Sequence, residues 1–143
     1  MPHLVIYYTP NLDAKTDMSA LCRKLADTMI AVRDEAGGVV YPVGGTRVLA
    51  YPAAHFAIAD GGAAGKAAGG SGEYGFVYMN LRMGRGRSDA TKLIAGRAVS
   101  ACAKTHFEQL LQDEHIGVTV QVDEGHEAFD DKHSSIHPLF KKA

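Results

Sequence analysis

What this chain lacks narrows the possibilities first. It has two cysteines, Cys22 and Cys102, and no tryptophan in 143 residues. Both cysteines fall inside helical apolar patterns, so they are expected as reduced core residues, not as a disulfide framework or a metal site. Net charge of one sign is missing as well: 15 Lys and Arg stand against 16 Asp and Glu. Without a basic field the electrostatic footprint of a nucleic-acid binder is absent, and no nucleic-acid partner is expected. No apolar run reaches the length of a membrane span and no charged-then-apolar leader is visible, so neither a membrane partner nor a signal peptide is expected and the cytoplasm is the default location. The length suits one domain with a real core. Proline is sparse at five residues, and one of them sits at position 2.

Pro2 is the most informative residue. Met1 before so small a neighbour is expected to be removed, leaving a chain that starts with a secondary amine. A free α-amino group titrates near ~7.7–8.0. Partial burial or nearby cations would lower that value and make the proline a base at neutral pH. The following His3-Leu4-Val5-Ile6-Tyr7-Tyr8 is apolar, β-branched and aromatic, as a buried strand requires, and would hold the amine in a folded interior. Retention of Met1 would turn the nitrogen into a tertiary amide and abolish the base.

The pattern then repeats. After the Pro2–Tyr8 strand, a helix is expected from near Thr16 with Met18, Leu21, Cys22, Leu25, Met29 and Val32 on one face, ended by Gly37-Gly38. Thr46–Tyr51 resumes strand character, extending toward Ile58. Ala59–Gly72 is rich in Gly and Ala and reads as a flexible connection. Tyr74–Met83 alternates as a strand; Ser88 is placed to cap a second helix marked by Leu93, Ile94, Val99, Cys102 and Leu110; His115–Val122 alternates again. One α/β domain over 1–143 follows. It comprises a βαβ repeat at about 2–58, the connection at about 59–73, a second βαβ repeat at about 74–123 and a C-terminal arm at about 124–143. Parallel strands joined by right-handed crossovers make a four-stranded sheet with two helices on one face. Its other face needs a cover, supplied most economically by further copies of the chain. Alternating residues such as Val5, Tyr7, Val77 and Met79 or their neighbours are expected on that face, and Phe129, Ile136, Leu139 and Phe140 of the arm against a neighbouring subunit.

Gly84-Arg85-Gly86-Arg87-Ser88-Asp89 is the second motif. An arginine at a strand-to-helix turn beside free backbone N–H groups can grip a carboxylate bidentately or simply be solvated. The third glycine and following acid of a dinucleotide site are missing. His126, His133 and His137 with Glu127, Asp130 and Asp131 lack the paired spacing that zinc favours, and no metal is expected. Tyr7, Tyr8, Tyr51 and Phe56 are candidates for a pocket wall near Pro2, Lys66 for a lid cation, and His106 for helix packing.

Pro2 on a strand, Gly86-Arg87-Ser88-Asp89 opening a helix and Thr46-Arg47-Val48 starting a strand together resemble the tautomerase superfamily. Tyr74–Ser88, Lys104–Phe107 and Ile136–Lys141 are similar in particular to its hydroxymuconate isomerases. The resemblance implies a tautomerase-like fold assembling as a homotrimer and a cofactor-free isomerase for a small-molecule carboxylate. It implies Pro2 as proton shuttle, Arg87 as the grip on a substrate carboxylate, and Arg47 binding or polarising the carbonyl end. Gly45 stands where those isomerases carry a further basic residue, which opens the pocket to another 2-oxo or hydroxymuconate-like acid; the alternative readings are a dehalogenase or hydratase of the same superfamily, or a non-catalytic trimeric binding relative.

Overall fold

The computed structural model describes residues 2–141. Met1, on which the expected processing acts, and Lys142 and Ala143 at the tip of the arm lie outside the described residues. Seven elements carry the fold: β1 His3–Tyr8, α1 Met18–Ala31, β2 Arg47–Pro52, α2 Ala63–Ala67, β3 Tyr74–Met83, α3 Asp89–Asp113 and β4 His115–Glu124. The strands form one sheet in the order β2-β1-β3-β4. β1 and β2 run parallel, as do β3 and β4, while the central β1–β3 pair is antiparallel with His3 opposite Arg82 and Tyr8 opposite Val77. Each half is thus the expected βαβ unit, and the two halves meet head to tail.

Helices cover one face. Leu4, Ile6 and Tyr8 of β1 and Val77, Met79, Leu81 and Met83 of β3 are buried against Leu21, Leu25 and Met29 of α1 and Ala95, Val99, Ala103 and Phe107 of α3. The opposite face carries His3, Val5 and Tyr7, then Leu49 and Tyr51, then Tyr78, Asn80 and Arg82. Val77 and Met79 were expected there. They face the helices instead, because the register sets Tyr7 beside Tyr78, so the even positions of β3 share the face of the odd positions of β1.

Local chemistry moves several boundaries. Asp17 caps α1 by accepting from the Ala20 N–H at 2.9 Å. That helix stops at Ala31, short of Gly37-Gly38, because Val32 turns extended and the Asp34 carboxylate then accepts from Ala36 and Gly38, pulling the backbone into a loop. β2 ends at Pro52 because its only partner, β1, ends at Tyr8. Ser88 caps α3 as expected. The buried stripe of that helix is Thr91, Ala95, Val99, Ala103 and Phe107, however, and Leu93 and Ile94 are exposed.

The Gly/Ala connection is folded. Asp60 accepts from the N–H groups of Gly62 and Ala64 to start α2, and the Gly65 N–H donates to the Tyr74 hydroxyl at 2.9 Å. A Cβ on Gly62, at φ +104°, would overlap the Gly72 carbonyl, so glycine serves close packing there. Lys66 is exposed on α2.

Candidate active site

Topology brings the three residues singled out by sequence to one end of the sheet. The starts of β1 and β2 lie at the same edge as the ends of β3 and β4. Pro2 is buried immediately before β1. Arg47 opens β2 in register with His3, one residue from the proline, and Arg87 follows the end of β3. The register requires His3 to project to the helix-free face, and burial together with Arg47 and Lys132 lowers its pKa against the opposing pull of Asp130.

The two arginines are held differently. Arg47 donates from Nη1 to the carbonyls of Gly44 at 2.8 Å and Thr46 at 3.1 Å. Its Nε and Nη2, the edge that makes a side-on fork, have no hydrogen-bond partner among the described residues. Arg87 donates from Nη1 to the Gly84 carbonyl at 3.2 Å and from Nη2 to the Val40 carbonyl at 3.0 Å, and its Cζ lies 5.6 Å from the centre of the Tyr41 ring. Tyr41 is fully buried, its hydroxyl lacks a partner among the described residues, and burial pushes its pKa up to about 12 although Arg87 opposes.

Two supports complete this end of the sheet, and the sequence reading missed the first and the intrachain landing of the second. Glu35, in the loop after α1, accepts from the hydroxyls of Ser88 at 2.6 Å and Thr91 at 3.0 Å, and these bonds hold its carboxyl below the usual range. Loop 33–41 is thereby clamped on the start of α3, and the same loop supplies the Val40 carbonyl that braces Arg87. The second support is the arm. Gly125 donates to the Met83 carbonyl and accepts from Arg85 Nε. Further along, Asp130 and Lys132 come within electrostatic reach of His3, and a 3₁₀ turn at His137–Phe140 lands on Val43–Gly45. A Cβ on Gly44 would lie 2.8 Å from the His137 Cα, so only glycine admits this landing. The arm's 3₁₀ turn is therefore anchored on its own chain. Phe129, Ile136, Leu139 and Phe140 all remain exposed along it.

Other candidates lie elsewhere. Tyr7, Tyr8, Tyr51 and Phe56 do not wall the proline of their own chain. Tyr7 is five residues along β1, about 17 Å away at strand rise. Tyr8 donates to Asp13 at 2.8 Å, and burial with that bond pushes it up to about 12. His106 belongs to helix packing, its Nε2 2.7 Å from the Thr16 hydroxyl and its ring edge-on to Phe107. Among the described residues no three His, Cys, Asp or Glu side chains converge as a metal site would require, and no helix is long and apolar enough to cross a membrane.

Comparison with known proteins bears on the family and the fold. The model of a family described as 5-carboxymethyl-2-hydroxymuconate isomerase matches residues 2–140. The 5-carboxymethyl-2-hydroxymuconate Delta-isomerase of Escherichia coli is 26% identical over 141 residues, spanning 99% of this chain and 100% of the relative. A crystal structure of a 5-carboxymethyl-2-hydroxymuconate delta-isomerase superposes with a TM-score of 0.96 at 56% identity, covering 100% of this chain and 95% of the other. A further 5-carboxymethyl-2-hydroxymuconate isomerase, from Deinococcus radiodurans R1, gives a TM-score of 0.79 at 29% identity over 99% of this chain and 95% of the other.

Proposed function

The chain belongs to the 5-carboxymethyl-2-hydroxymuconate isomerase family and is an isomerase of the tautomerase superfamily, and from that premise we propose that it moves a proton along an unsaturated oxo-carboxylate with the Pro2 amine as base. The observation that carries the reading is the seat of Pro2: buried, ahead of a strand flanked by Arg47, with the Arg87 loop at the same end of the sheet. After removal of Met1 the nitrogen is a secondary amine with a lone pair. It takes the 2-hydroxyl proton of the dienol form, or a proton from the carbon α to the carbonyl of the oxo form, so an O–H or C–H bond breaks, an N–H bond forms, and negative charge develops on the same oxygen of one dienolate. The unpartnered edge of Arg47 suits that charge, and its field favours the neutral amine before the transfer. The prolinium then returns the proton at a different carbon of the conjugated system, and the amine is regenerated. Arg87, fixed by Gly84, Val40 and Tyr41, holds a substrate carboxylate. No step calls on a cofactor.

The test is the ketonisation of 2-hydroxydienoate acids followed by ultraviolet absorbance, on protein whose intact mass shows Met1 removed. Pro2→Ala should lower kcat by ~10²–10⁴-fold, the usual worth of general-base catalysis, with a residue of activity because alanine still offers an amine. An unchanged rate in the processed variant would overturn the proline mechanism.

A further inference from the structure

A row of basic side chains crosses the sheet at the Pro2 end. Register sets Arg47 beside His3 and His3 beside Arg82, all on the helix-free face, with strands about 4.8 Å apart. Arg47 already has a part in the mechanism. Arg82, on the other side of the proline's strand, has none. It is exposed, and among the described residues it makes no hydrogen bond or ion pair. The nearby acids bond to other groups. Asp123, directly opposite in β4, accepts from Asn80 at 2.6 Å. Glu124 pairs with Lys92 at 2.5 Å and Asp130 with Lys132. An arginine fork held in no ion pair among the described residues, one strand from the base, is free to form two parallel hydrogen bonds to an external carboxylate.

We propose that Arg82 is a specificity-determining residue that binds a third carboxylate of the substrate, the one on a carboxymethyl branch. The assignment rests on the function proposed above and names the substrate class of that same site. A 5-carboxymethyl-muconate skeleton carries one carboxylate at each end and one on the branch. Arg47 and Arg87 serve the oxo end and the far end, which leaves the branch to the next cation along the row. Gly45 removes a basic residue from the β2 side, and Arg82 supplies one from the β3 side. His3 between the arginines is held toward its neutral form by burial and by Arg47, so the row does not stack three full charges side by side.

The test compares kcat/KM for 5-carboxymethyl-2-hydroxymuconate and for 2-hydroxymuconate, which lacks the branch, within one preparation of each variant. Arg82→Gln should lower the ratio of the first to the second by about 10- to 100-fold, the worth of a charge-assisted hydrogen bond, mainly through KM. Arg82→Lys, which keeps the charge and drops the fork, should lie between wild type and Arg82→Gln. An Arg82→Gln ratio equal to wild type, whether both substrates lose together or neither does, overturns the assignment. Should Arg82→Gln not fold, the same comparison is made with Arg82→Met, which removes the charge and keeps the aliphatic stem, and an unchanged ratio there overturns it equally. Wild-type protein inert toward both acids would instead overturn the substrate reading beneath it, and the assignment with it.

Discussion

At the scale of single residues, the two proposed substrate arginines divide their donors in ways that forecast different kinetics. Arg47 spends Nη1 on two backbone carbonyls and keeps the Nε–Nη2 edge open. If that edge meets charge that grows only in the transition state, Arg47→Ala should lower kcat by ~10²–10³-fold, as loss of an oxyanion donor does, with a smaller effect on KM. Arg87 is braced on both Nη atoms and against Tyr41 before any ligand arrives. A pre-set grip acts alike on ground and transition states, so Arg87→Ala should mainly raise KM, by ~10–100-fold. Steady-state kinetics on the best substrate of a 2-hydroxydienoate panel reads both. Untouched parameters in both variants would make these arginines structural turn residues. Pro2 stood out by its place before an apolar strand, whereas the parts proposed for Arg47 and Arg87 came from the resemblance, since local composition alone also fits solvated turn residues. Glu35 and Tyr41 were not legible, since their value lies in partners 53 and 46 positions away in sequence, Ser88 for the first and Arg87 for the second.

At the scale of elements, α1 and α3 are joined by the contact between Thr16, just ahead of α1, and His106 on α3. Burial, with help from Lys24, lowers the His106 pKa below 6.5, and Asp17 opposes only in part. The folded state thus prefers the neutral ring more than the unfolded chain does. The contribution to stability is full above the unfolded value near ~6.5 and is lost as pH falls from there through the lowered folded value. His106→Gln should therefore flatten the fall in urea midpoint between pH 7.5 and 5.5 relative to wild type. An identical fall in both proteins would remove His106 from the account; His3, lowered in the same direction, would then be tested the same way. Element boundaries were legible where a cap or a clean alternation existed, as at Ser88 and along Tyr74–Met83. They were obscured where small residues do the packing. Ala95 and Ala103 let α3 lie close on the sheet while Leu93 and Ile94 point away, and the glycines of 59–73 look the same in composition whether they loosen a chain or, as at Gly62 and Gly65, fit it tightly.

At the scale of the whole molecule, the helix-free face decides whether one chain is enough. Tyr51, Tyr7 and Tyr78 stand in one register row, with ring centres 5.9 and 6.5 Å apart. Tyr7 is 53% exposed, Leu49 45% and Tyr51 47%. The expectation of an apolar uncovered face held for Val5 and Tyr7 on β1 and, on β3, for the neighbouring Tyr78 in place of Val77 and Met79, because strand parity across an antiparallel junction cannot be read without the register. A contiguous aromatic and aliphatic patch of this kind is uncommon on a soluble monomer. Closed symmetry that turns three sheets inward and six long helices outward would cover all three patches with one repeated contact. Such an assembly would also bring each Pro2 end against a neighbour, where the exposed Phe129, Ile136, Leu139 and Phe140 of an arm anchored on its own chain still offer apolar surface. Light scattering at micromolar concentration should accordingly give three times the 15.2 kDa chain mass. Tyr7→Lys puts an ammonium at the centre of the row, where desolvation on assembly would be costly, while its position on the face away from the core spares the packing of Leu4 and Ile6. That variant should keep its circular dichroism and shift toward the monomer mass. A wild-type monomer would overturn the trimer outright. A Tyr7→Lys variant that stays fully trimeric would mean that the contact between chains is made elsewhere than on this face.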